Sequence, residues 1–177
     1  MAFSTLNDFL PQFKDGGARS NRYWVQITFP AGVAGNAEKI MYCTKDSAIP
    51  SSNVSAIDVP FHGRMLKVAG DKTFDDWNIT VLIDNDWVGR TPFEEWHHKI
   101  LNFTDNVAEL VAPTEYYGTA SIKPLSRDGS ELEEYKLEGI FPTAVAELSL
   151  AYDPDGAIFE QAVTFSVNNW VSNNGAS

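Results

Sequence analysis

The chain has 177 residues, 44% apolar and 21% charged, which suits one globular domain with a real core and is too apolar for extended disorder. Its 24 acidic and 13 basic side chains give a net charge of −11, a sign that repels free nucleic acid and acidic membrane surfaces. The single cysteine, Cys43, excludes an internal disulfide or a cysteine-cluster metal site, and no stretch reads as a transmembrane helix or a signal peptide, so a soluble protein made in a reducing cytoplasm is expected.

Three parts are expected: an N-terminal arm over 1–20, a β domain over 21–170 and a flexible tail over 171–177. In the arm, Phe3, Leu6, Leu10 and Phe13 have helix-like spacing, but Pro11 and the Gly16-Gly17 pair allow only about one turn. From Tyr23 the period becomes two, with Tyr23, Val25, Ile27 and Phe29 on one face, which predicts a strand ending at Pro30. A second strand is predicted over 39–45. The Ser- and Asn-rich stretch 46–58, interrupted by Pro50, reads as an exposed loop. A long hairpin follows: short strands over 59–61 and 64–68, a loop over 69–72, and a core strand over 73–83 in which Trp77, Ile79, Val81 and Ile83 alternate. Thr91-Pro92-Phe93-Glu94 predicts a helix start with Thr91 as N-cap, and Phe93, Trp96, His97 and Ile100 fall on one face. Strands are predicted again over 117–125 and 133–141, then over 147–152 and 158–170 about an Asp153-Pro154-Asp155-Gly156 turn. About eight strands, one helix and no βαβ repeat predict a mainly β fold, an antiparallel sandwich or partly closed barrel with one flanking helix.

Catalytic patterns are weak. His97 and His98 point about 100° apart on a helix and do not converge on one ion, with His97 expected on the apolar face and His98 toward solvent. Asp84-Asn85-Asp86 and the 153–156 turn lack the remaining ligands of a calcium loop. Cys43 reads as a small apolar residue within a strand, and Asp75 and Asp76 alternate across one. No nucleophile elbow or phosphate-binding glycine loop occurs. No catalytic, metal or cofactor site is therefore expected. Trp24, Trp87, Tyr116 and Tyr117 are the candidate stacking platforms if the chain is instead a carbohydrate-binding sandwich.

Residues 59–77 carry a basic strand, then the Ala69-Gly70-Asp71-Lys72-Thr73-Phe74 turn, then the start of an acidic strand that bears Trp77. Residues 138–150 carry Gly139-Ile140-Phe141-Pro142-Thr143, followed by the 153–156 turn and a last strand ending at Asn169-Trp170. Together these resemble the tail tube proteins of contractile, T4-like phages, over about 22–170. The resemblance implies hexameric rings whose inner sheets join into a barrel and stack into a hollow tube within a contractile sheath. Its implied partners are further copies, the sheath protein, baseplate and terminator proteins, and phage DNA that passes without specific binding; no membrane is involved. The implied location is the virion, after assembly in the host cytoplasm. The tube of a phage-derived injection or secretion machine is the related alternative.

Within that reading the 1–20 arm and residues 46–72 are expected at subunit contacts, with Arg64, Lys67, Asp71 and Lys72 as interface candidates. An acidic channel wall is also expected, because a basic wall would grip the DNA phosphates. Asp76, Glu131, Glu133, Glu134, Glu138 and Glu160 are its candidates, of which strand alternation lets only some face inward.

Overall fold

The computed structural model describes residues 17–150, 156 and 158–173. It is mainly β: β1 (Tyr23–Thr28), α1 (Ala37–Cys43), β2 (Thr44–Ser47), β3 (Ser52–Phe61), β4 (Arg64–Phe74), β5 (Trp77–Leu82), α2 (Thr91–Ile100), α3 (Pro113–Tyr116), β6 (Gly118–Pro124), β7 (Tyr135–Val145), β8 (Glu160–Ser166) and β9 (Asn169–Ser172). Seven strands form one antiparallel sheet in the order β1-β6-β7-β8-β5-β2, with β9 also paired to β7, while β3 and β4 form a separate two-stranded ribbon.

The eleven-residue β7 is the spine of the sheet. Its first half pairs with β6 and β9 and its second half with β8. The register slips near Gly139, whose φ of +65° favours glycine, and again between Pro142 and Ala144. Such bulges bend a strand and increase its twist. The two halves of the sheet bury one shared core: Val25 and Ile27 on β1, Ile122 on β6, Leu137 on β7, Trp77, Ile79 and Val81 on β5, and Val163 and Phe165 on β8. Alternation explains this, since intervening residues such as Gln26, Asn78 and Ala162 are exposed. α2 closes the core with Phe93 and Trp96, which pack on Phe29 and Phe165 at centroid distances of 5.6 to 5.9 Å. The helix begins at Thr91 with Arg90 as its cap, so Pro92 stands second rather than first.

Several expectations are corrected. Residues 37–43 are helical, because Asn36 caps them by accepting the Lys39 amide at 3.0 Å and only Ile40 is buried, a spacing that no half-buried strand would have. The 46–58 loop contains β3, and the 69–72 loop is part of β4. Residues 147–150 are not a strand, and the Asp153, Pro154 and Asp155 turn residues lie outside the described residues, as do arm residues 1–16. β9 runs through Val171 and Ser172, past the boundary expected for the tail, pairing them with Lys136 and Tyr135.

Among the described residues Gln161 on β8 is the one polar residue that is wholly buried. Its amide nitrogen donates to the carbonyls of Ala146 (2.9 Å) and Ala162 (2.7 Å), while its amide oxygen accepts from Arg90 Nη1 at 2.6 Å. This network ties the segment after β7 to the start of α2. Gln161→Leu removes three hydrogen bonds, but Arg90 keeps Glu94 and the Ala146 carbonyl, and the Ala162 carbonyl keeps the Ala146 amide, so a loss of about 1 to 2 kcal/mol is expected in denaturant unfolding.

Candidate assembly surfaces

Among the described residues the β3–β4 ribbon pairs with no other strand. Its ten- and eleven-residue strands meet at His62 and Gly63, both at positive φ (44° and 79°), as a two-residue turn matching strand twist requires. At about 3.3 Å per residue it reaches roughly 30 Å. Ile57 lies opposite Val68, Val59 opposite Leu66 and Phe61 opposite Arg64, so these six share one face. Asp58 opposite Lys67 and Pro60 opposite Met65 share the other. Every residue from Asn53 to Ala69 is exposed, with Phe61 58% and Ile57 53% accessible. A two-stranded hairpin is marginal alone in water, and burying these half-exposed side chains would contribute on the order of 5 kcal/mol per copy.

Its base is held to the body. The Asp75 carboxylate accepts from the Ser51 hydroxyl and, at 2.9 Å, from the Asn53 amide, and the Asp75 backbone N–H donates to the Ser51 carbonyl. Phe74 meets Trp170 edge-on at 6.2 Å, and Trp170 meets Tyr135 at 5.7 Å.

The four interface candidates all lie on this ribbon. Arg64 and Lys67 stand near its tip, while Lys72 at the base places its ammonium 5.0 Å from the Phe74 ring centroid and 5.9 Å from that of Trp170. Asp71 sits with Gly70 in a bulge, where the register shifts between Val54 and Ala56. Among the described residues Asp71 pairs with neither Lys67 nor Lys72. No tight turn exists there for its carboxylate to hold, so Asp71→Lys is expected to shift the melting temperature by less than about 2 °C while impairing assembly. Equal loss of both would return Asp71 to a local structural role.

The candidate wall carboxylates fall on two regions. Asp76 stands between β4 and β5, and Glu160 opens β8, where it pairs with Lys45 at 2.5 Å. Glu131, Glu133 and Glu134 lie between β6 and β7, and Glu138 is on β7. Lys123 meets Glu131 at 3.0 Å and Glu134 at 3.5 Å, and Lys136 meets Glu134 at 3.6 Å. The Glu131 hydrogen bond raises the Lys123 pKa above its ordinary value. The outward face of β1-β6-β7 therefore mixes cations with carboxylates. The outward face of β2-β5-β8 presents Asp46, Asn78, Thr80, Ala162 and Thr164, with Lys45 already bound to Glu160.

The remaining candidates have local roles. His97 is exposed together with His98, contrary to the expected apolar placement, because the buried stripe of α2 is limited to Pro92, Phe93 and Trp96. Asp84 and Asp86 both bind the Lys39 ammonium, and that hydrogen bond holds the Asp84 carboxyl below its ordinary range. Cys43 ends α1, rather than lying within a strand, and packs half-buried on the core. Among the described residues no three His, Cys, Asp or Glu side chains are grouped to hold a metal. Tyr116 and Tyr117 are half-buried and pack on Phe141 at 5.7 and 6.1 Å, while Trp87 leans on Phe159. Trp24 pairs instead with Tyr42, ring centroids 6.3 Å apart.

The comparisons with known proteins agree with the fold. The chain is 31% identical over 167 residues to tail tube protein gp19 of Enterobacteria phage T4, covering 93% of this chain and 98% of that protein, and 30% identical to its counterpart in phage T6 over the same shares. It superimposes with a TM-score of 0.67 on a chain of the PVC extracellular contractile injection system sheath-tube complex, at 15% identity and covering 97% and 99% of the two chains. The tube terminating cap of the anti-feeding prophage gives 0.65 at 15% identity, over 89% and 91%. The family model described as phage tail tube protein matches residues 18–173, and the chain belongs to that family.

Proposed function

We propose that this chain is the repeating subunit of a contractile phage tail tube, in which copies close into hexameric rings and the rings stack within a sheath between baseplate and terminator. The observation that carries this reading is the exposed amphipathic ribbon of a family member: an unpaired ribbon is a hazard in a monomer, and a closed, repeating assembly covers it. No catalytic step is needed for such a role. Phage DNA passes along the axis without specific binding, and the particle's location is the virion, assembled in the host cytoplasm.

The channel wall is best formed by the outward face of β2-β5-β8. That face offers hydroxyl, amide and carboxylate groups and only one lysine, which its neighbour Glu160 already neutralises. The opposite face carries two lysines, Lys123 and Lys136, which share Glu131 and Glu134 as partners, so it would bring more cations near a duplex. Asp76 and Glu160 are then the carboxylates nearest the wall, and the 131–138 group belongs elsewhere. A phage tube is favoured over an injection-machine tube because about 30% identity links the chain to phage proteins over nearly their whole length. Negative-stain microscopy of purified protein tests the assembly: rings or tubes with an axial hole are expected, and a protein that stays a small monomer at every concentration overturns it.

A further inference from the structure

Next to α1 lies a groove of about 550 Å³ lined by Trp24, Gln26, Met41, Tyr42, Lys123 and Glu131. Its floor is apolar for reasons that local structure makes plain. On β1 the core takes Val25 and Ile27, which turns Trp24 outward, and on α1 the core takes Ile40, which leaves Tyr42 on the surface. Trp24 is 46% and Tyr42 70% exposed, with ring centroids 6.3 Å apart. Two large aromatics held side by side in water form the kind of anchor site that dominates protein interfaces.

We infer that this groove receives the tip of the β3–β4 ribbon from another copy of the chain. This rests on the tube reading above and adds the receiving surface to it. Three observations select that occupant. The ribbon tip presents Phe61 and Leu66 on one face, apolar side chains of the kind the Trp24–Tyr42 floor would take. Residues 61–68 carry Arg64 and Lys67 and no carboxylate, in a chain of net charge −11. Neither forms an ion pair within the chain among the described residues. The groove offers the opposite sign: Glu38 and Glu131 stand at its edge, and Lys123 is already bound by Glu131 and Glu134. Because the tip is exposed along its whole length, it does not lie in its own chain's groove, so the docked tip belongs to a different copy.

The geometry has a chemical consequence. Phe61 packs on the exposed side of the Trp24–Tyr42 pair, where aromatic rings gain from edge-to-face contact, while Arg64 on the same ribbon face meets Glu131 or Glu38. Each contact recurs around a symmetric assembly, so a modest pair energy is multiplied.

Disulfide trapping in assembled tubes tests this, in a Cys43→Ala background. Phe61→Cys combined with Tyr42→Cys is expected to give disulfide-linked oligomers on a non-reducing gel. Phe61→Cys with Phe103→Cys, whose parent residue is 81% exposed at a different place, is expected to give none. Tubes that form but link only through position 103, or not at all, overturn the groove assignment while leaving the tube reading intact. Wild-type protein that forms neither rings nor tubes overturns both. Should either cysteine pair prevent assembly, a charge exchange decides. Arg64→Glu is expected to raise the concentration needed for assembly about fivefold or more, and Glu38→Lys with Glu131→Lys to recover most of that loss. No recovery overturns the assignment.

Discussion

Replacing residues 54–72 by Asn-Gly is expected to give a folded, soluble monomer that forms neither rings nor tubes. Asn53 and Thr73 are Cα partners at the base of the ribbon, so a two-residue turn between them is geometrically natural. The junction preserves Asp75 with its Ser51 and Asn53 donors, and the Phe74–Trp170 contact below it. No core residue is removed, because everything between 53 and 69 is exposed. The melting temperature is therefore expected to change by less than about 4 °C, the shift of roughly 1 kcal/mol in a domain of this size. Assembly loses several half-exposed apolar side chains per copy, on the order of 5 kcal/mol, which moves the assembly concentration by more than a thousandfold. Sedimentation and electron microscopy read the two effects separately. A variant that still polymerises at wild-type concentration removes the ribbon from the interface, and one that fails to fold shows the ribbon to be part of the body. A deletion of 48–57 alone would be ambiguous, since it removes buried Pro50 and leaves β4 without its partner strand.

The ribbon also shows where sequence reading succeeded and why it stopped. β1, β5 and β6 were legible because their apolar residues alternate and are buried within the chain, as Trp77, Ile79 and Val81 illustrate. The same alternation is present in Ile57, Val59 and Phe61, but Ser, Asn and Pro around it gave the segment the composition of a loop. Those residues have no partner in their own chain, so turn-like composition and strand period compete there. Gly70 and Asp71 are a similar case: they read as a turn and form a bulge, which uses the same backbone freedom without reversing the chain. α1 is not legible because seven residues are too few for periodicity to decide, and its Asn36 cap is equally common in loops.

The candidate surfaces were legible only in part. Arg64, Lys67, Asp71 and Lys72 do gather on one ribbon, because they are close in sequence. The six carboxylates do not gather, because sheet order β1-β6-β7-β8-β5-β2 sends chain neighbours to different halves and pairing with Lys45, Lys123 and Lys136 consumes several of them. The Trp24–Tyr42 groove joins β1 to a helix that the sequence did not reveal, and its only advance signal was that Trp24 lies out of step with Val25 and Ile27.

The wall assignment carries the other large effect: Asn78→Lys, Thr80→Lys and Thr164→Lys together are expected to leave tubes intact and block DNA passage. All three sit on the outward face of β5 and β8, with Thr164 Oγ1 donating to Asn78 Oδ1 at 2.7 Å, so the core beneath is untouched. If rings hold the six copies proposed above, the variant would place eighteen cations on the bore at each level, against a duplex with about one charge per 1.7 Å of axis. Each phosphate neutralised releases counterions and adds affinity, with a salt slope near −0.9 per contact, so the duplex would be held rather than passed. Particles carrying the variant are expected to assemble with full-length tails and to lose infectivity by several orders of magnitude, with retained DNA released as salt is raised. Thr28→Lys and Thr119→Lys with Glu138→Gln, the same charge change on the outward face of β1-β6-β7 and away from the Trp24–Tyr42 groove, are the control, expected to leave passage unchanged. Should the control set arrest DNA and the β5–β8 set not, the wall is the β1-β6-β7 face, and Glu138 returns as its carboxylate. A ring structure whose lumen holds more Lys and Arg than Asp and Glu would contradict the sliding argument on either face.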